Sequence, residues 1–175
     1  MAAWRLLDYV FICFFIVNLG FITYIVDLEQ LTIPDYQKFL VDHKYPLWPP
    51  KWGVDLVHSY AKTFDPVLLA RPVWWKVTIW VDALYFGPFY ALAIYAFINK
   101  KNWIKTPAII WATAMVINVS VILAEETWGP HATPNLPVVL ALNAPWLTFP
   151  FLMLARLCIP ETPFGKSTGS KAKAH

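Results

Sequence analysis

The stretch VWWKVTIWVDALYFGPFYALAIYAFI, residues Val73–Ile98, decides how the chain folds, because it is apolar and long enough to cross a bilayer. Asp82 lies within this stretch, about 13 Å from the Val73 end at about 1.5 Å per helical residue. A carboxylate at that depth is costly unless it faces a partner or a water-filled cavity. Asp82 is therefore either a ligand-contacting acid or a buried carboxylate that a neighbouring helix satisfies.

The overall composition places this stretch in a polytopic membrane protein. Of the 175 residues, 58% are hydrophobic and 14% are charged, whereas soluble domains carry about a quarter charged residues. The net charge of +3 is scattered, and no basic cluster alternates with aromatic residues, which argues against a nucleic-acid partner. Cys13 and Cys158 fall in predicted spans, so no disulfide framework is expected. No phosphate-binding loop, nucleophile motif or metal-spaced Cys/His set occurs, so no cofactor or metal is expected.

Four membrane spans are predicted, at residues 6–26, 73–98, 106–124 and 136–159. They give an all-α protein, a four-transmembrane-helix bundle. Residues 1–160 form one membrane domain, and residues 161–175 form a flexible cytosolic tail. The long connection after the first span carries a Pro/Trp-rich segment, YPLWPPKW, and a short helix over residues 54–64.

The short loops predict the orientation of the bundle. Lys100, Lys101 and Lys105 crowd the connection between the second and third spans, whereas the connection 125–135 on the other side has no Lys or Arg. The positive-inside rule therefore puts both termini in the cytosol and the long loop in the lumen. That long loop also contains Lys and Arg, which reduces the asymmetry.

Each predicted span carries one polar side chain at a similar depth. Asn18, Asp82, Asn118 and Asn143 lie about 9–13 Å from the non-cytosolic ends of their spans. Bundle helices hide such groups from lipid, so a shared cavity is expected. Asn side chains that merely bridge helices would explain one or two of them. Asp27, just beyond the first span, is expected to hang over this layer.

Aromatic and apolar side chains are expected to wall the cavity. The predicted wall consists of Tyr85, Phe86, Phe89, Trp146 and Leu142. The first three follow Asp82 at helical spacings of three, four and seven residues. An aromatic pocket that holds an acid suits an amphiphile with one cationic or hydroxyl head. If Asp27 lies beside Asp82, one of the two carboxyls is expected to be protonated, so that the pair can both donate and accept a hydrogen bond.

Motifs spread over nearly the whole chain point to a known family. They are Asp27-Leu28, Tyr60-Ala61-Lys62 with Asp65-Pro66, Trp74-Trp75-Lys76, Asp82, Tyr95-Ala96-Phe97, Ala144-Pro145-Trp146 and, most specifically, WIKTPAII at residues 103–110. Together they resemble the sigma-2 receptor family of EXPERA-domain membrane proteins. That resemblance implies the four-helix core shared with the emopamil-binding sterol isomerases.

The resemblance also implies a ligand site. Asp27 stands at the family's ligand-pairing acid, Asp82 at a glutamate that hydrogen-bonds to it, and Asp65 at a loop acid near the pocket. The remaining implied positions are Asn118 for a threonine, Trp146 for a tyrosine, Leu142 for a valine and Phe86 for a glutamine.

The function that the resemblance implies is the binding of sterols or cationic amphiphiles in the endoplasmic reticulum, with a part in sterol traffic. Lys171 and Lys173 resemble a dilysine retrieval signal. The expected partners are a sterol or amphiphilic amine, membrane lipid, and a second copy or another membrane protein. One alternative is an accessory lipid-binding subunit of a larger complex, for example in the mitochondrial inner membrane. Another is a sterol double-bond isomerase, which the absence of histidine from the predicted spans disfavours; a non-enzymatic protein is expected.

Overall fold

Four long apolar helices form the protein. The computed structural model describes residues 2–160 and 162–165, and over those residues it contains helices and no strand. Four helical segments are long and apolar enough to cross a membrane: Arg5–Thr32, Val73–Ile98, Asn102–Trp128 and Leu136–Cys158. We refer to them as the first to fourth spans. The predicted all-α, four-span membrane protein is confirmed.

The first and third spans are longer than predicted because their polar ends are buried in the protein. The first continues from the predicted end at Val26 through the helix Leu28–Thr32, where Glu29 and Gln30 are fully buried. The third begins with a short 3₁₀ turn at Asn102 and runs to Trp128, with Glu126 buried near its end. A prediction from hydropathy ends the span at such polar residues, whereas tertiary packing allows the helix to continue past them.

Two π-helical segments interrupt the regular spans. The first span runs through the helix Ala2–Val17 from Arg5 onward, then the π segment Asn18–Asp27 and the helix Leu28–Thr32. The second consists of Val73–Val81, the π segment Asp82–Phe86 and Gly87–Ile98. Pro88 has no N–H to donate to the carbonyl four residues earlier, which accounts for the wider turn before it. Such segments are frequent at functional sites.

The two π segments pack closely together at Gly87. Tyr24 donates a hydrogen bond from its hydroxyl to the Ala83 carbonyl, with an O···O distance of 3.2 Å. A Cβ atom at position 87 would lie 2.7 Å from the Tyr24 hydroxyl oxygen. A glycine at position 87 therefore sets how closely the first two spans approach.

An aromatic core fills the half of the bundle away from the long loop. Its fully or nearly fully buried rings are Phe11, Phe15, Phe86, Phe89, Tyr90, Phe97 and Trp111. Phe89 stacks on Trp111, with ring centroids 5.1 Å apart and an interplanar angle of 11°. At the bottom of this half, Arg156 binds both carboxylate oxygens of Asp8, which joins the first and fourth spans.

The long connection between the first two spans is folded onto the bundle. It contains the helices Tyr36–Asp42, Lys51–Thr63 and Val67–Ala70. The predicted short helix is present, starting three residues earlier than expected because Pro50 sets the preceding extended turn. Asp35 caps the first of these helices by accepting from the Lys38 N–H at 3.0 Å.

The C-terminal segment beyond the fourth span starts by packing back onto the bundle. Phe164 lies against the Phe97 ring, and its N–H donates to Asn102 Oδ1 at 2.9 Å. The retrieval-type lysines, Lys171 and Lys173, lie outside the described residues. Cys13 and Cys158 are free thiols.

Candidate ligand cavity

A cavity of about 360 Å³ lies where the four spans meet the folded loop. Its lining residues are mostly apolar or aromatic. The polar ones are Asp27, Tyr60, Asp65, Thr78, Asp82, Asn118, Glu126 and Asn143. No Lys, Arg or His lines the cavity among the residues that the structure describes. The cavity thus holds four acidic side chains and no basic one among its described lining residues.

Asp27 and Asp82 form one carboxyl pair, and both come from the π segments. Asp27 is the last residue of the π segment in the first span, and Asp82 is the first residue of the π segment in the second span. Their carboxyls interact directly, and Thr23 also lies beside Asp82. Asp82 is 7% exposed, and beyond Asp27 and Thr23 its Oδ2 has no hydrogen-bond partner among the described residues. The pair thus retains an unsatisfied acceptor inside the cavity.

Asp65 and Glu126 form a second carboxyl pair at the loop end of the cavity. The loop before the fourth span ties their backbones together, because Thr133 donates its N–H to the Glu126 carbonyl and its hydroxyl to the Phe64 carbonyl. Burial is the main cause that raises the pKa of Asp65 from 3.8 to about 6. Burial, with Asp65 and Glu126 nearby, also raises the pKa of Tyr60 to about 12.

Glu126 follows Glu125 near the end of the third span, where two adjacent acids are typical of a solvated helix end, but Glu126 is buried. The two neighbours separate: Glu125 accepts from His131 Nδ1 at 2.6 Å, whereas Glu126 is 1% exposed and faces the cavity. The spacing of residues along the third span could have predicted that Glu126 faces the cavity. Met115, Val119, Ile122 and Glu126 follow one another at spacings of four, three and four residues, which places Glu126 on the same helical face as these three cavity-lining apolar residues.

The fourth span supplies the opposite wall with Leu142, Asn143 and Trp146. Trp146 donates from Nε1 to Asn18 Oδ1 at 2.8 Å, and Asn18 in turn donates to the Phe14 carbonyl. Of the predicted polar layer, Asp82, Asn118 and Asn143 line the cavity. Asn18 does not; it lies below the cavity and fixes the Trp146 ring.

A family model described as EBP: EXPERA (EXPanded EBP superfamily) matches residues 52–157. The chain belongs to the EXPERA family. It is 27% identical over 161 residues to Sigma intracellular receptor 2 of Xenopus tropicalis, covering 86% of each chain. It is 31% identical over 114 residues to the proteins of that name from Macaca fascicularis and Homo sapiens, covering 57% of this chain and 65% of theirs. The expected family is confirmed.

The EXPERA match contains most of the cavity acids of this family member. Residues 52–157 include Asp65, Asp82 and Glu126, together with the cavity-lining part of the fourth span. Asp27 lies outside the matched range, on the first span. Its place beside Asp82 therefore follows from the packing of the two π segments.

Three predicted wall residues of this EXPERA protein lie elsewhere. Tyr85 is 38% exposed, and Phe86 is fully buried in the aromatic core; neither lines the cavity. Phe89 stacks on Trp111 in the same core. The prediction counted regular α-helical spacings from Asp82. The turn that follows Asp82 is π-helical, with i→i+5 hydrogen bonds, so it rotates these side chains away from the expected face.

A neighbouring charged cluster of the EXPERA protein is satisfied internally. Glu29 accepts from Arg71 Nη2 at 2.9 and 2.8 Å and lies 2.7 Å from His58 Nε2. Arg71 also donates to the carbonyls of Leu68 and Ile33. His58 lies on the helix Lys51–Thr63, within the predicted short helix, and is 6% exposed. This cluster joins the first span to the folded loop.

Proposed function

We propose that this EXPERA-family protein is a binding protein for amphiphiles, which takes the cationic or hydroxyl head of a sterol or amphiphilic amine at Asp27 and Asp82. The observation that carries the proposal is the carboxyl pair at the bottom of an apolar cavity without a basic partner. A ligand ammonium or hydroxyl would donate hydrogen bonds to the unpartnered oxygen. A charge-assisted hydrogen bond of this kind contributes about 1.5–3 kcal/mol.

The size and walls of the cavity support this class of ligand. Small-molecule pockets are typically about 300–1,000 Å³ and are largely apolar with a few polar groups. Apolar and aromatic residues such as Phe21, Leu68, Trp75 and Ile79 would hold the hydrocarbon body. Leu142 lines the cavity yet is 50% exposed on the surface of the fourth span. A ligand dissolved in the membrane would meet the cavity on that side.

The remaining roles follow from the same site and from the relatives. The relatives are named receptors, which supports binding rather than catalysis. No histidine lies among the cavity residues that the structure describes, so an isomerase would have to move protons between carboxyls alone. We propose residence in the endoplasmic reticulum with both termini cytosolic, and a part in sterol or lipid homeostasis.

Photolabelling of the purified full chain tests the binding function. The probe is a photoreactive sterol that carries an amine at the head position, with the protein in lipid nanodiscs. We expect Asp27→Asn and Asp82→Asn each to lower probe affinity by about 10- to 100-fold. The control Asp55→Asn removes an exposed carboxyl on the loop and should leave the affinity unchanged.

Labelling that is undiminished in both cavity variants would contradict the proposal. The same preparations, incubated with a sterol whose ring double bond can migrate, separate binding from catalysis. Conversion that requires Asp82 would replace the binding protein with an isomerase. Recovery of the chain only within a stoichiometric membrane complex would favour an accessory subunit.

A further inference from the structure

The second carboxyl pair has no role in the binding of a single ligand head at Asp27 and Asp82. Asp65 and Glu126 interact with each other in the same cavity and are 4% and 1% exposed. Apart from each other, Asp65 Oδ1 and both oxygens of Glu126 meet no hydrogen-bond partner among the described residues. Each unsatisfied buried group costs about 1–3 kcal/mol. A ligand that donated to these oxygens would recover much of that cost.

The two pairs are separate subsites rather than one metal centre. No three His, Cys, Asp or Glu side chains in the described part of the chain come close enough to hold a metal ion. Asp82 lies about 13 Å along the helix from the loop-side end of the second span, whereas Glu126 lies about 3 Å from the loop-side end of the third. The Asp65–Glu126 pair therefore lies nearer the loop, and the Asp27–Asp82 pair lies deeper.

Apolar side chains line the cavity that both pairs share. They include Leu56, Val57, Leu68, Val119 and Ile122. The surface that two cations would meet is thus acidic at the loop end, acidic in the deeper part and apolar elsewhere. An alkyl chain with an ammonium group at each end has the matching order of charge, hydrocarbon and charge. Each ammonium brings three N–H donors to a carboxyl pair that lines the cavity without a basic partner among the described residues.

We propose that the cavity binds amphiphiles with two cationic groups, one on each carboxyl pair, and that Glu126 with Asp65 forms the second cation subsite. This inference rests on the proposed function, because the first ammonium occupies the Asp27–Asp82 pair. It identifies the preferred ligand class as alkyl diamines and amphiphiles that carry a second amine.

Paired amines of equal chain length measure the second subsite directly. Octane-1,8-diamine and octylamine are titrated calorimetrically into the full chain in nanodiscs of zwitterionic lipid, which holds neither amine by charge. We expect the diamine to bind about 10- to 100-fold more tightly than the monoamine. In Glu126→Gln, and separately in Asp65→Asn, this ratio should fall to near one. Glu125→Gln is the matched control, because its carboxyl binds His131 outside the cavity, and it should keep the ratio.

The possible outcomes separate this inference from the function on which it rests. Octylamine binding that depends on Asp82, with no advantage for the diamine, would overturn the second subsite and leave the proposed function standing. A diamine advantage that persists in both Glu126→Gln and Asp65→Asn would also overturn it. If neither amine binds the unaltered protein, both proposals fail. Using two variants on different elements prevents one misfolded variant from deciding the result.

Discussion

Two regions of this protein bury carboxyl groups, and the surroundings of those groups are opposite in the two regions. Glu29 is surrounded by donors: Arg71 binds both of its oxygens and His58 lies beside it. The cavity acids have no cationic neighbour among the described lining residues. Asp82 Oδ2 meets no hydrogen-bond partner beyond Asp27 and Thr23, and the oxygens of Glu126 meet none beyond Asp65, in the described part of the chain.

The difference separates a structural element from a candidate binding site. A buried ion pair whose hydrogen bonds are complete holds two segments together, although it adds little net stability over apolar packing. Buried acids without donors lower the stability of the folded chain unless something else supplies the donors. The Glu29 cluster is therefore complete in the protein alone, whereas the cavity acids need a ligand to complete them.

Arg71→Met gives the largest effect that this comparison predicts. It leaves Glu29 buried without its main partner, and removal of one partner from a buried pair costs about 3–5 kcal/mol. Unfolding in detergent, followed by circular dichroism, measures the loss of stability. The control Lys51→Met breaks the solvent-exposed pair with Asp55 and should change stability very little. Equal stability of the two variants would remove the distinction between the regions.

The pH dependence of the free energy of unfolding should report the ionisation of Asp65 in the cavity. The pKa of Asp65 is about 6 in the protein, against 3.8 ordinarily, so between these values the native state binds more protons than the unfolded chain. The free energy of unfolding should therefore fall as pH rises from about 4 to about 6, by about 3 kcal/mol in total, and change little from this group above that range. Glu126 and Tyr60 face the same carboxyl.

Asp65→Asn isolates this contribution, because it removes the titrating group and leaves Glu126 and Tyr60 in place. Denaturation at several pH values between about 4 and 7 compares the variant with the unaltered protein. The difference between them should shrink with falling pH. A parallel pH dependence in both proteins would show that Asp65 ionises in the folded protein as it does in water.

Gly87→Ala tests whether close packing of the π segments positions the Asp27–Asp82 pair. The added Cβ would lie 2.7 Å from the Tyr24 hydroxyl, so the side chain or the helix must shift. We expect a loss of about 1 kcal/mol in stability, at the low end for overpacking, together with weaker amine binding. Gly20→Ala meets no atom within 4 Å and should instead gain up to about 1 kcal/mol through helix propensity. Equal effects of the two substitutions would contradict this role for Gly87.

Asp82→Asn should have the smallest effect on stability, under about 1 kcal/mol, because no buried cation loses its partner. This small change in unfolding free energy contrasts with the large loss in ligand affinity expected for the same variant. A loss as large as that of Arg71→Met would mean that Asp82 is a structural residue. Unfolding of the ligand-free protein in detergent makes the comparison.

The sequence predicted the four spans because length and hydropathy alone determine which segments cross a bilayer. It also predicted that polar residues on different spans would meet, and Asp82, Asn118 and Asn143 do line one cavity. The depth of each polar residue along its helix was sufficient for this prediction, because polar groups within a membrane face the bundle interior or a water-filled cavity rather than lipid.

What the sequence could not provide depended on contacts between distant segments. Tyr85 and Phe86 were misplaced because nothing in the local pattern shows that the turn after Asp82 is π-helical. The Glu29–Arg71 pair spans 42 residues and forms only when the loop folds onto the first span. The helical spacing of the third span could have placed Glu126 on the cavity face, but the adjacent Glu125 made the two acids resemble an exposed helix end.

A structure of the protein with a bound amphiphilic amine tests the central claim most directly. The account predicts density for the amine nitrogen within hydrogen-bond distance of Asp82 Oδ2 and the Asp27 carboxyl, with the hydrocarbon along the apolar wall. An amine head that points out of the cavity, or a ligand bound on another surface with the cavity empty, would contradict it.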